Sequence, residues 1–262
     1  MSTIAFILML AAGAETQDLP AEVLWDNNLA IDLQSLFPIS PPGAGQLRWV
    51  DDIHVGPGGW LITNYDYNGF EQDGWLHSGF NEVYVASGAS GAPSEFVMIR
   101  SGPHERIATG EMPFGRDGYD YRVRELRILL PPGAYWIGVR DAGGSGQGTS
   151  AIASSDGGSD GGCSPDYPEG SCTSNYFSTD SGHSWQPSPE FEHFAFLLQG
   201  VRAPGDFNGD DDVDLVDFAA FNNCVTGPGE AANISCRVFD FDNDEDVDFT
   251  DFQVMQIVFA WE

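Results

Sequence analysis

The 262-residue chain is 42% hydrophobic and 13% aromatic, enough to bury a core, and its 19% charged content excludes a disordered polyelectrolyte. Forty acidic residues face ten basic ones, all of them Arg, and the resulting net charge of -30 excludes a general binder of nucleic-acid phosphates, which needs Lys and Arg to neutralise them. With 32 Gly and 16 Pro the chain must turn often, so strands are expected more than helices, and the acidic surplus is left either to solvate a surface or to hold a hard cation.

Residues 1–14 read MSTIAFILMLAAGA, an apolar run closed by small residues in an Ala12-Gly13-Ala14 pattern. That is the core and cleavage site of an export signal, so a secreted or cell-surface protein of bacterial type is expected; the rival reading is a buried N-terminal helix. No other stretch approaches the roughly 18 apolar residues of a membrane span, and none is expected. Four cysteines in an exported chain suggest two disulfides. Three pairings are possible, and locality favours Cys163 with Cys172 and Cys224 with Cys236.

Residues 15–202 read as an all-β sandwich or jelly-roll module. Short β-branched and aromatic runs at 60–65, 82–86, 95–100, 121–130, 134–139 and 194–200 alternate with Gly, Pro, Asn and Asp. Pro131-Pro132-Gly133 predicts a hairpin over 126–139. From 141 to 162 the composition shifts to Gly, Ser and Asp and predicts a long loop. Trp60, Tyr65, Tyr67, Phe70, Trp75 and Phe80 crowd a stretch rich in Asn, Asp and Gly. Exposed rings there could stack on sugar faces, with Asp66, Asn68 and Asp73 accepting from hydroxyls; the competing reading makes them core residues.

Catalytic signatures are poor. HExxH and the Walker loop are missing, and Gly182-His183-Ser184-Trp185-Gln186 lacks the final Gly of a GxSxG elbow. His183 and His193 could join Asp180 or Glu190, but their spacing is not that of a metal site, and Glu190 and Glu192 share one face of a strand. Catalytic residues are left unassigned.

Ala203-Pro204-Gly205 marks a boundary, after which the last 58 residues, 203–262 being taken as the module, hold fifteen acidic side chains and a single Arg237. Two segments there superimpose at a period of 34 residues. The first places Asp206, Asn208, Asp210, Asp212, Asp214 and Asp217 at loop positions 1, 3, 5, 7, 9 and 12. The second places Asp240, Asp242, Asp244, Asp246, Asp248 and Asp251 at the same positions. This is the oxygen pattern of an EF-hand-type calcium loop, in which position 7 gives its backbone carbonyl. Six carboxylates in the first loop and seven in the second would repel by about 3 kcal/mol per pair at 5 Å and a dielectric near 20, and a divalent ion reverses that sign. Val213 and Val247 at position 8 fit a short pairing between the loops. Each loop leads into a helical stripe, Phe218, Phe221 and Val225 in repeat 206–225, and Phe252, Met255 and Phe259, widened by Ile257 and Val258, in repeat 240–261.

The duplicated loop-helix, with Gly-Asp-Phe-Asn-Gly-Asp at its start and Asp at position 12 of each loop, resembles a type I dockerin over about a fifth of the chain. The resemblance implies folding around two Ca²⁺ ions and docking to a cohesin-like domain, which in cellulosomes attaches polysaccharide-degrading modules to a scaffold. Position 6, usually Gly, is Asp211 and Glu245 here. Positions 10 and 11, where a Ser-Thr-like recognition pair is common, are Leu215-Val216 and Phe249-Thr250. The segments 23–27, 49–55 and 58–62 are similar to secreted bacterial β-sandwich modules that accompany such tails. The expectation is therefore an exported, non-catalytic protein, a β-sandwich for recognition (carbohydrate among the candidates) or structure joined to a calcium-dependent docking module. A polysaccharide hydrolase with its site in the sandwich is the first alternative, and a cell-envelope protein using the tail as a spacer the second.

Overall fold

The computed structural model describes residues 21–27, 29, 36–40, 47–72, 75–76, 78–88, 91–112, 115–141, 145–146, 150–155, 175–188, 193–210, 212–242 and 244–259. The expected export signal, the Cys163–Cys172 pair, and Asp73, Glu190, Glu192 and Asp211 lie outside the described residues.

The strands in chain order are β1 (Glu22–Asp26), β2 (Leu36–Ser40), β3 (Arg48–Val55), β4 (Trp60–Glu71), β5 (Trp75–Leu76), β6 (Phe80–Ser87), β7 (Phe96–Ala108) and β8 (Asp117–Val123). They continue as β9 (Ile128–Leu130), β10 (Gly133–Asp141), β11 (Ser145–Gly146), β12 (Ser150–Ser155), β13 (Asn175–Ser178), β14 (Gln186–Pro187), β15 (His193–Phe194) and β16 (Phe196–Arg202). Two helices follow, α1 (Leu215–Cys224) and α2 (Phe249–Phe259), with a 3-10 turn at Ile234–Phe239 between them. The fold is mainly β with a small helical C-terminal region, as the composition predicts.

One connected sheet runs β1-β16-β4-β8-β7-β6-β10-β3-β13-β14, with β2, β9, β12 and β15 joined at its sides. It doubles over at β7. Residues up to Pro103 pair with β6, and His104 onward pair with β8. Proline lacks an N–H for the ladder, so it suits the point where a strand changes neighbours. The two layers enclose one core. Ile53, Val85 and Ile137 from β3, β6 and β10 pack in the same cluster as Trp60, Tyr65, Phe196 and Leu198 from β4 and β16. β6 is apolar on alternate and intervening positions because both its faces are covered: Tyr84 and Ala86 pack outward against Val50 and Trp136, beneath Tyr176 and Trp185.

Three expectations are corrected here. Pro131-Pro132-Gly133 does not close a hairpin: β9 pairs with β4, whereas β10 pairs with β3 and β6, so the turn carries the chain from one layer to the other. The run 121–130 is broken, since Glu125 and Arg127 take left-handed φ values of 60° and 48° and end the ladder, although Leu126 remains buried. The long loop at 141–162 contains β12, whose Ala151, Ile152 and Ala153 are buried between β2 and β4. Its small side chains carry little of the bulk by which a strand is recognised in sequence.

The rings proposed as sugar platforms are core residues. Trp60, Tyr65, Tyr67 and Trp75 are no more than 9% exposed, and Phe70 is fully buried. Tyr65 stacks on Phe196 at 5.1 Å and Tyr67 on Tyr121 at 4.6 Å. Burial raises the Tyr65 and Tyr67 hydroxyls well above the usual phenol range. Of the tested cluster, Phe80 is exposed.

Candidate metal centre in the C-terminal repeats

The helical region begins where Ala203, buried, donates its N–H to the Gly59 carbonyl of the sandwich and accepts from Asp206 N–H. Gly205 follows at φ 99°, and a Cβ there would sit 3.2 Å from the Phe241 ring and 3.4 Å from Met255 Sδ. Only glycine meets both demands, so the entry to the first loop packs on the second repeat.

Each loop is organised by its last aspartate. Asp217 Oδ1 accepts from Phe207 N–H at 2.8 Å and Asn208 N–H at 3.2 Å, while Oδ2 accepts from Asp214 N–H at 2.9 Å. Asp251 repeats this, with Oδ1 accepting from Phe241 N–H at 2.7 Å and Oδ2 from Asp248 N–H at 2.8 Å. Both carboxylates are fully buried. Each also lies in the first turn of its helix, where the dipole favours an anion, and Asp214 with Asp217 forms a capping box on α1. Asp206 accepts from Gly209 N–H, and Asp240 from the Asp244 and Glu245 N–H groups, which bends each chain round its position 1.

The bending gathers oxygens. Carboxylate atoms of Asp206, Asp210 and Asp217 lie within 4.8 Å of one another, as do those of Asp240, Asp242 and Asp251, and those of Asp246, Asp248 and Asp251. Burial is the main reason the Asp251 carboxyl is pushed up to about 6, and burial followed by Asp244 and Asp240 raises Asp242. Carboxylates that converge in this way fit a hard divalent cation, which takes six to eight oxygens. Asn208 Oδ1 and Asp210 Oδ1 accept from loop N–H groups, and Asp214 and Asp248 accept from the helix-start N–H groups of Val216 and Thr250.

Aromatic rings join the two helices. Phe218 at the start of α1 meets Phe252 and Phe259, and Phe221 meets Phe252. Phe221, Met255 and Val258 are buried as the stripes predict, but Val225, just past the end of α1, and Ile257 are about half exposed. Cys224 is bonded to Cys236. The two valines at position 8 are buried in the shared core, but the backbone of Val247 pairs with the inter-repeat linker: its N–H donates to Thr226 Oγ1 at 3.1 Å and its carbonyl accepts from Thr226 N–H at 3.0 Å. Glu245 at position 6 sits at φ 75°, the left-handed conformation for which glycine is usual.

One cluster is not legible in the sequence. In the sandwich, fully buried Asp51 accepts from Asn27 Nδ2 at 3.0 Å and Phe194 N–H at 2.8 Å, with His193 Nδ1 at 3.0 Å. It ties β3 to β15 across 142 positions, and no local spacing announces that. His183 is exposed, and Asp180 is occupied in its own turn, accepting from Ser184 and Ser178, which holds its carboxyl below the usual range.

Residues 204–257 match the dockerin type I domain family. The C-terminal region is thus a dockerin-type module, and modules of this family bind calcium. No curated protein and no solved structure matches the chain. Among the described residues, no helix is long and apolar enough to cross a membrane.

Proposed function

We propose that this is an exported two-module protein, a β-sandwich (15–202) attached through a calcium-ordered docking module (203–262) to a cohesin-like domain on another protein. The observation that carries the reading is the duplicated closure of the two loops by Asp217 and Asp251, each buried and each aimed at the same backbone positions of its own repeat. In this reading Asp206, Asn208, Asp210, Asp214 and Asp217 hold one Ca²⁺, and Asp240, Asp242, Asp244, Asp248 and Asp251 the other, with backbone carbonyls at positions 7 completing each set. The ion supplies the positive charge that lets each ring of carboxylates close; the residues supply the loop bends and the helix starts.

The contact offered to the partner is apolar. Leu215 is 71% exposed, Val216 56% and Phe249 68%, and all three stand at positions 10 and 11 of their repeats. Large exposed apolar side chains at helix starts otherwise held by carboxylates suit burial against a partner surface. The test is capture of a panel of purified cohesin domains by the full chain. Binding to at least one in calcium, lost in chelator and weakened by Leu215→Asp with Phe249→Asp, supports the docking reading. No capture in calcium, or capture indifferent to chelator, contradicts it and leaves the tail a spacer.

A further inference from the structure

The two loops are not equally built, and the difference centres on position 7. Asp212 in the first loop is exposed. Its counterpart Asp246 is 3% exposed: Oδ2 accepts from Gly229 N–H in the inter-repeat linker, and Oδ1 is buried with no hydrogen-bond partner. The Asp246 carboxylate lies within 4.8 Å of those of Asp248 and Asp251, so the second loop gathers oxygens from positions 7, 9 and 12 in addition to those from 1, 3 and 12. In the first loop the described carboxylates that converge are those of positions 1, 5 and 12.

We propose that the calcium sites are unequal, the second loop binding its ion first and more tightly because the Asp246 side chain contributes a buried carboxylate that also clamps the linker. This rests on the calcium reading above and specifies how that site works in this chain. Two further differences point the same way. Position 3 is a charged Asp242 in the second loop and a neutral Asn208 in the first, and ligand charge count raises calcium affinity. Site rigidity raises it as well. The second loop is tied to the linker by Thr226 and Val247 and by Ala232 N–H donating to the Glu245 carbonyl at 2.7 Å, and the Cys224–Cys236 bond closes that same linker. Filling of the second site then completes the ring of charge around an oxygen that otherwise stays buried without a partner. It also sets the linker from which α1 and the first loop extend.

The experiment is calorimetric Ca²⁺ titration of the full chain, with ellipticity at 222 nm in saturating calcium to show that each variant is folded. Wild type is expected to give two steps separated by about tenfold or more. Asp240→Ala should remove the tighter step and Asp206→Ala the weaker. Asp246→Asn keeps the shape and removes the charge, and should weaken the tighter step by about tenfold. Asp242→Asn, which copies the neutral residue of the first loop, should narrow the gap even if Asp246→Asn fails to fold. Two indistinguishable steps, or loss of the tighter step in Asp206→Ala, would overturn the inequality while leaving calcium binding intact. Absence of heat from the wild-type chain would instead overturn the calcium reading itself.

Discussion

Asp251 reaches back ten residues to accept the N–H of Phe241 at 2.7 Å, and Phe241 in turn is buried in the core shared by both repeats. One carboxylate therefore closes a loop, starts a helix and seats a core ring. Asp251→Ala leaves the buried N–H of Phe241 without an acceptor, at about 1–3 kcal/mol, and frees the part-buried N–H of Asp248 as well. Urea unfolding of the full chain followed at 222 nm should show the helical transition moved to lower urea even in chelator, with the sandwich transition unmoved. An unmoved helical transition would mean that the aspartate does not organise the loop.

Glu245 at φ 75° is a side chain in a conformation that disfavours one by about 1–2 kcal/mol. Glu245→Gly should stabilise the helical region by about 1 kcal/mol after the added freedom of the unfolded chain is subtracted. Glu245→Ala, which keeps a Cβ, should not. The comparison is made by thermal melting of the two variants in the same buffer.

The Cys224–Cys236 bond joins residues 12 apart and, by restricting the unfolded chain, contributes about 3 kcal/mol. A Cys224→Ser, Cys236→Ser variant should lower the helical melting transition by many degrees in chelator, and saturating calcium should raise the transition of variant and wild type alike. An unmoved helical transition in chelator would show that the bond does not act on the folding of this region.

The pH dependence follows from Asp251, whose carboxyl is pushed up to about 6, chiefly by burial. Between the ordinary carboxylate range near 4 and this value the folded, ion-free region holds more protons than the unfolded chain, so its stability falls as pH rises through that window. Calcium needs the deprotonated form, so its affinity changes in the opposite direction. The rise in melting temperature caused by calcium should therefore be larger at pH 7 than at pH 5. A rise that is the same at both values would contradict the assignment of Asp251 as a ligand.

The C-terminal repeats were the most legible part of the chain because every relevant signal there is local: a fixed 34-residue period, alternate oxygens within twelve residues, and stripes at helical spacing. Phe221, Met255, Val258 and the Cys224–Cys236 pair sit as those local rules require. Val225 and Ile257 escaped burial because the helix ended, or its face turned outward, at the place where the stripe ran out. In the sandwich the bulky strands β4, β6, β7, β10 and β16 were visible and β12 was not, and the pairing partners were not visible for any of them. Neighbours such as β9 with β4, or Asp51 with His193, are chosen by long-range packing that leaves no trace in spacing. The aromatic cluster from Trp60 to Trp75 shows the same limit, since rings set among Asn and Asp look alike in sequence whether they are buried or exposed.

The most direct measurement is the far-ultraviolet circular dichroism and thermal melting of the full chain, first stripped with chelator and then reloaded with calcium. Calcium should deepen the helical band at 222 nm and raise a distinct melting transition belonging to α1 and α2, while the β-sheet transition stays in place. Superimposable spectra and melting curves before and after reloading would contradict the account at its foundation.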